Sequence, residues 1–161
     1  MSRHRARVAV METLYQMDSR RDSVRSIEMV EDLCLEALQR HNVTGRDSVD
    51  FGHALARSTW ENMAETDRVI SELSRSWALH RIGRLERSIM RMALEEMWRM
   101  NIPPSVAINE AVELTKQYVS DRAASFVNGI LGACVEGPPA LDCPRAERGG
   151  VSGCTREEEV N

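Results

Sequence analysis

The strongest chemical bias in the sequence lies at its start. Arg3-His4-Arg5-Ala6-Arg7 gathers three guanidinium groups within five residues. Guanidinium pairs with phosphate through two parallel hydrogen bonds, and Arg and Lys displace counterions from a nucleic-acid backbone. The segment therefore suits phosphate contact, although the same composition also suits a merely solvated arm. Spacing of i, i+2 and i+4 cannot bring all three arginines onto one face of a regular helix. Arg3 is accordingly expected in a flexible arm, Arg5 at a junction and Arg7 on the first turn of a helix.

No other group of residues has the types and spacing of a catalytic centre. The phosphate-cradling glycine loops, the Gly-x-Ser-x-Gly nucleophile turn and the His-Glu-x-x-His zinc pattern are all missing. His4, His41, His53 and His80 stand singly, at no metal-ligand spacing. Glu95 and Glu96 are adjacent, so on a helix they diverge by about 100° and make a poor acid–base couple. Glu110 and Glu113 share a face, which reads as a solvated one with Lys116 nearby. Cys34, Cys134, Cys143 and Cys154 form no Cys-x-x-Cys pair, and the first two fall on apolar helical faces. The expectation is a non-enzyme with no metal and no cofactor.

Charge is uneven along the chain. The formal net charge is −4, yet residues 1–25 hold six arginines against three acids, a net of +3. From 136 onward, six acids face three arginines, a net of −3. The first residues do not form a signal-peptide pattern, and no run reaches the roughly 18 apolar residues that span a bilayer. A cytoplasmic protein without membrane contact is expected.

The elements that must carry these residues are helical almost throughout. Aromatics are only 4% of the chain, against strands built on aromatic pairs. A first helix carries Ala6, Val10, Leu14 and Met17 on one stripe. A second, about 26–40, carries Ile27, Val30, Cys34 and Leu38. After a Thr44-Gly45 loop, Asp47 or Ser48 is expected to cap a third helix bearing Phe51, Leu55 and Met63. A fourth starts near Thr66-Asp67, with Trp77 and Leu79 following into a connection. A fifth spans about 84–100, Pro103-Pro104 ends that region, and Ser105 is a candidate cap for the sixth. The seventh, about 122–135, runs through Asn128-Gly129, where Gly129 would admit a close backbone. The expected fold is all-α, two packed helical bundles of about seven helices. The expected organisation is an N-terminal bundle over 1–65 with the basic arm, a C-terminal bundle over 66–136, and a disordered tail over 137–161.

Four ordered segments resemble one known family. Arg5-Ala6-Arg7 followed by Leu14-Tyr15 is similar to the Arg-rich opening helix of NusB-type antitermination factors. Residues 85–97 (LERSIMRMALEEM) are similar to the family's central helix, 106–116 (VAINEAVELTK) match its most specific segment, and 126–131 (FVNGIL) match its closing helix. The resemblance implies two perpendicular helical bundles and no cofactor. It implies binding of single-stranded boxA-type RNA in ribosomal RNA leaders, together with a small-subunit ribosomal protein, NusE, in an RNA polymerase antitermination complex.

Carried over residue by residue, the implied RNA contacts are Arg3, Arg5, Arg7, Lys116 and Phe126. Arg122 stands where the family is often acidic and would add positive charge. Glu95 replaces a common aromatic residue, at a position whose helical phase suggests an exposed face. Core packing of the fourth to sixth helices would leave a second surface for the ribosomal protein, with Glu86 and Arg87 as exposed contacts. Asn109 and Asn128, amid apolar neighbours, are expected to tie helices together, and Arg91 to be snorkelling or paired. Two alternatives remain: a NusB-like RNA-binding domain of ribosomal RNA cytosine methyltransferases, and a helical protein–protein adaptor without RNA affinity. For the first, Asp142-Cys143-Pro144 lacks the surroundings of a catalytic cysteine, and no cofactor-binding α/β pattern follows the helices.

Overall fold

A computed structural model describes residues 2–20, 25–74 and 82–138. Trp77, Leu79 and the expected tail beyond Pro138 lie outside the described residues. Those described form seven helices and no strand: α1 (Ser2–Ser19), α2 (Ile27–Arg40), α3 (Arg46–Glu61), α4 (Met63–Leu73), α5 (Arg84–Trp98), α6 (Pro104–Tyr118) and α7 (Asp121–Gly132).

Helix α1 is buried on nearly every side, with Ala6 to Met11, Thr13, Leu14 and Met17 all inside. Such a helix lies within the core, not on it. It packs on α2, α3 and α5, while α5 meets α1, α3, α4, α6 and α7. The two central helices bring Met11, Leu14 and Met17 together with Ile89, Met90, Met92 and Leu94 in one apolar cluster. Fully burying a Leu or Met side chain contributes about 1.5–3 kcal/mol, so this shared seam is a large part of the apolar stabilisation. No helix among the described residues is long and apolar enough to cross a membrane.

Several helix ends differ from the sequence expectation. Helix α2 keeps the expected start, capped by Ser26, whose hydroxyl accepts from the Met29 N–H at 3.3 Å. The cap of α3 is Gly45, not Asp47 or Ser48, and Ser48 is instead buried. Helix α4 begins at Met63, separated from α3 by Asn62 alone. Asn62 ties the break down, donating from Nδ2 to the Ser58 carbonyl at 2.9 Å. Pro103 caps α6 and Pro104 occupies its first turn, a position where the missing N–H has no partner to lose. Ser120 caps α7 by accepting from the Ala123 N–H at 3.1 Å. Asn128-Gly129 continues that helix, but a Cβ at Gly129 would meet nothing within 4 Å. The expected close backbone at Gly129 is therefore not there.

Candidate nucleic-acid interface

The first turns of α1 decide what the basic segment can do. The helix starts at Ser2, so Arg3, Arg5 and Arg7 all lie within it and Arg3 is not in a preceding arm. Arg3 and Arg5 are exposed. The Arg3 guanidinium lies 5.0 Å from the Phe51 ring centroid, and an Arg5 terminal nitrogen reaches the Asn42 carbonyl at 3.4 Å. Arg7 points inward and is only 4% exposed. It grips Glu96 of α5, with Nε at 2.9 Å from Oε1 and a terminal nitrogen at 2.7 Å from Oε2. The guanidinium of Arg7 is thus paired with a buried carboxylate, unlike the exposed Arg3 and Arg5.

Beside Arg7, Glu110 of α6 accepts from His4 Nδ1 at 2.8 Å and stands 3.9 Å from an Arg7 terminal nitrogen. Burial raises the Glu96 carboxyl above its ordinary value, against the pull of Arg7. Further along α1, Tyr15 shares a groove of about 330 Å³ with Tyr118 of α6. Both tyrosines are 40% exposed. Met11, Glu12, Gln16, Arg40 and Leu85 also line it. Spacing alone did not single out the tyrosines, since an aromatic residue on an amphipathic helix is ordinarily core.

A second groove, of about 450 Å³, opens where α5 begins and α6 hands over to α7. It gathers Glu86, Arg122 and Phe126, three residues singled out from the sequence, with Ile82, Val119 and Ser120. Lys116 is exposed on the last turn of α6. Arg3, Arg5, Lys116 and Arg122 have no carboxylate partner among the described residues. Lys116 therefore makes no pair with Glu113. The candidates fall into two groups, Arg3 with Arg5 at one end of α1 and Glu86 with Arg122 and Phe126 at the second groove.

Other positions differ from the sequence reading. The Arg87 side chain is only 16% exposed and lies 3.4 Å from Asp18 of α1, so it does not offer a free charge. Glu86 is half-buried at the groove. Glu95 is fully buried, not exposed. It accepts from Ser58 at 2.5 Å and from Arg99 at 2.7 Å, and burial raises its carboxyl above the ordinary value. Asn109 and Asn128 are exposed and tie no helices together. Cys34 and Cys134 are buried thiols, pushed up to about 12 and about 11 by desolvation. No cluster of His, Cys, Asp or Glu among the described residues could hold a metal ion.

The NusB family model matches residues 4–136. The transcription antitermination protein NusB of Pelotomaculum thermopropionicum is 37% identical over 139 residues, covering 86% of this chain and 92% of the relative. That of Oleidesulfovibrio alaskensis is 42% identical over a shorter span, 55% of this chain and 58% of the relative. Among solved structures, T. maritima NusB superposes with a TM-score of 0.74 at 30% identity, covering 85% of this chain and 93% of that one. A structure of the antitermination factors NusB and NusE in complex with dsRNA shares the fold, with a TM-score of 0.72 at 24% identity, covering 84% of this chain and 96% of that one. With a helical order, a core and a family match that together span the described body, the chain belongs to the NusB family.

Proposed function

We propose that this chain is a cytoplasmic transcription antitermination factor that binds single-stranded boxA-type RNA and pairs with a small-subunit ribosomal protein of the NusE kind. The observation that carries the reading is that four cations of the matched segments have no carboxylate partner, Arg3 and Arg5 on the first turns of α1, Lys116 on the last turn of α6 and Arg122 on the first turn of α7. Unpaired guanidinium and ammonium groups are free to displace counterions from phosphates. Phe126, half-buried in the groove with Arg122, offers a ring on which an unstacked base can lie. A related complex of NusB and NusE with dsRNA supports an RNA and a protein partner for the fold.

The protein partner is assigned to the tyrosine groove and its rim. Leu85 lines that groove and its neighbour Glu86 lines the other, so one partner seated there would sit beside the RNA. Arg87, held by Asp18, drops out of the expected contact set.

The test is a titration of a labelled single-stranded RNA carrying a boxA-type element across a range of salt, with a duplex of the same sequence as competitor. Four phosphate contacts give a log–log slope of roughly −3, at about −0.7 each. Replacing Arg3 and Arg5 together with alanine should flatten the slope by about 1.4. An unchanged slope sinks the assignment, and a duplex that competes as well as the single strand sinks the preference for unpaired RNA.

A further inference from the structure

Helix α1 opens in a way that should fray. Its first turn holds no acidic residue, and Arg3, Arg5 and Arg7 crowd positive charge against the positive end of the helix dipole. Three other helices nevertheless hold this end. Glu96 of α5 grips Arg7 at 2.9 and 2.7 Å. Glu110 of α6 takes His4 at 2.8 Å. Phe51 of α3 has the guanidinium groups of both Arg3 and Arg7 at 5.0 Å from its ring. Because Arg3 and Arg7 are one helical turn apart, fixing Arg7 fixes the direction in which Arg3 leaves the helix.

We infer that Arg7 and Glu96 are a positioning pair, which touches no RNA and holds the first turn of α1 so that Arg3 and Arg5 are presented in a fixed arrangement. The inference rests on the proposed RNA site at Arg3 and Arg5. A pre-ordered turn avoids the entropy of ordering it at the moment of binding. The bidentate geometry needs the guanidinium fork, which a lysine lacks. The two roles open to Arg7 predict opposite signs for one substitution. If Arg7 served RNA directly, Glu96→Gln would remove a negative charge near the phosphates, free Arg7 and tighten binding. If Arg7 positions, the same substitution loosens the turn and weakens binding.

The experiment measures the affinity of a fluorescein-labelled single-stranded RNA carrying a boxA-type element for the full chain, against salt, with thermal melting of each variant alongside. Glu96→Gln should weaken binding about five- to tenfold, the factor for re-ordering roughly one residue on binding, with an unchanged salt slope. Arg7→Met combined with Glu96→Leu replaces the buried pair by apolar bulk, an exchange that is often neutral for stability. It should recover most of the affinity at the same slope. That double variant decides the matter if Glu96→Gln alone fails to fold. Unchanged or tighter binding in Glu96→Gln, or a slope flattened by about 0.7 in the double variant, overturns the inference. If Arg3→Ala with Arg5→Ala leaves affinity untouched, the RNA site itself fails, a result distinct from failure of the positioning role.

Discussion

Arg91 of α5 holds Asp67 of α4 in a two-pronged pair, Nε to Oδ1 at 2.6 Å and a terminal nitrogen to Oδ2 at 2.8 Å. Its remaining terminal nitrogen reaches Asp18 of α1 at 3.3 Å. One side chain, 3% exposed, thereby joins α4 to the end of α1. Removing one member of a buried pair leaves an uncompensated charge and costs about 3–5 kcal/mol. Asp67 keeps partial access to water, which places the loss near the lower end. Asp67→Ala should cost about 3 kcal/mol in urea unfolding. Asp67→Ala with Arg91→Met should cost less than the sum of the single changes. Additive losses would show that the two side chains stabilise the fold independently.

Glu95 makes stability depend on pH in a definite direction. Burial is the largest influence on its carboxyl and raises it, while the bonds from Ser58 and Arg99 pull it down. A folded-state value above the unfolded one means that the folded protein holds the proton more tightly. That contribution is fully present below the ordinary value of 4.5 and is lost as pH rises through the higher folded value. Glu95→Gln removes the titration while keeping an acceptor for Ser58. The stability of the variant relative to the parent should therefore increase between about pH 5 and about pH 7. Chemical denaturation at both values checks this, and a relative stability that falls with pH would contradict it.

The helical order was legible in the sequence because amphipathic periodicity survives wherever a helix has one dry side. Helices α2, α3 and α7 show it directly, in Val30, Cys34 and Leu38, in Phe51 and Leu55, and in Val127, Ile130 and Leu131. On the two central helices burial extends beyond the apolar stripe. Every residue of α5 from Ser88 to Glu96 is buried, so no phase argument could find an exposed side, and Glu95 was misplaced for that reason. The pairing of Arg7 was hidden for a different reason, since its partner Glu96 is 89 positions away and local spacing holds no trace of it. Pro104 was read as a terminator although it opens a helix, because a missing N–H is equally harmless on either side of that boundary. Within the candidate site, Arg122 and Phe126 came together with Glu86 at one groove. The pairing of Tyr15 with Tyr118 across one groove emerged only from the fold.

Two glycines in helix interiors should respond to alanine with opposite signs. A Cβ on Gly52 would lie 2.8 Å from Leu38 Cδ2 and 3.6 Å from the Ala6 Cβ. Leu38 is 1% exposed, so its methyl group has little room to retreat, and overpacking of this kind costs about 1–3 kcal/mol. The gain from replacing a helical glycine, about 0.5–1 kcal/mol, offsets only part of that. Gly52→Ala should therefore destabilise by roughly 1–2 kcal/mol. Gly129 faces open space in the middle of α7, so Gly129→Ala keeps the whole propensity gain and should stabilise by about 0.5–1 kcal/mol. Urea midpoints at constant m-value measure both changes. A stabilised Gly52→Ala would mean that α2 and α3 can part without loss. A destabilised Gly129→Ala would mean that the outer face of α7 is covered in solution.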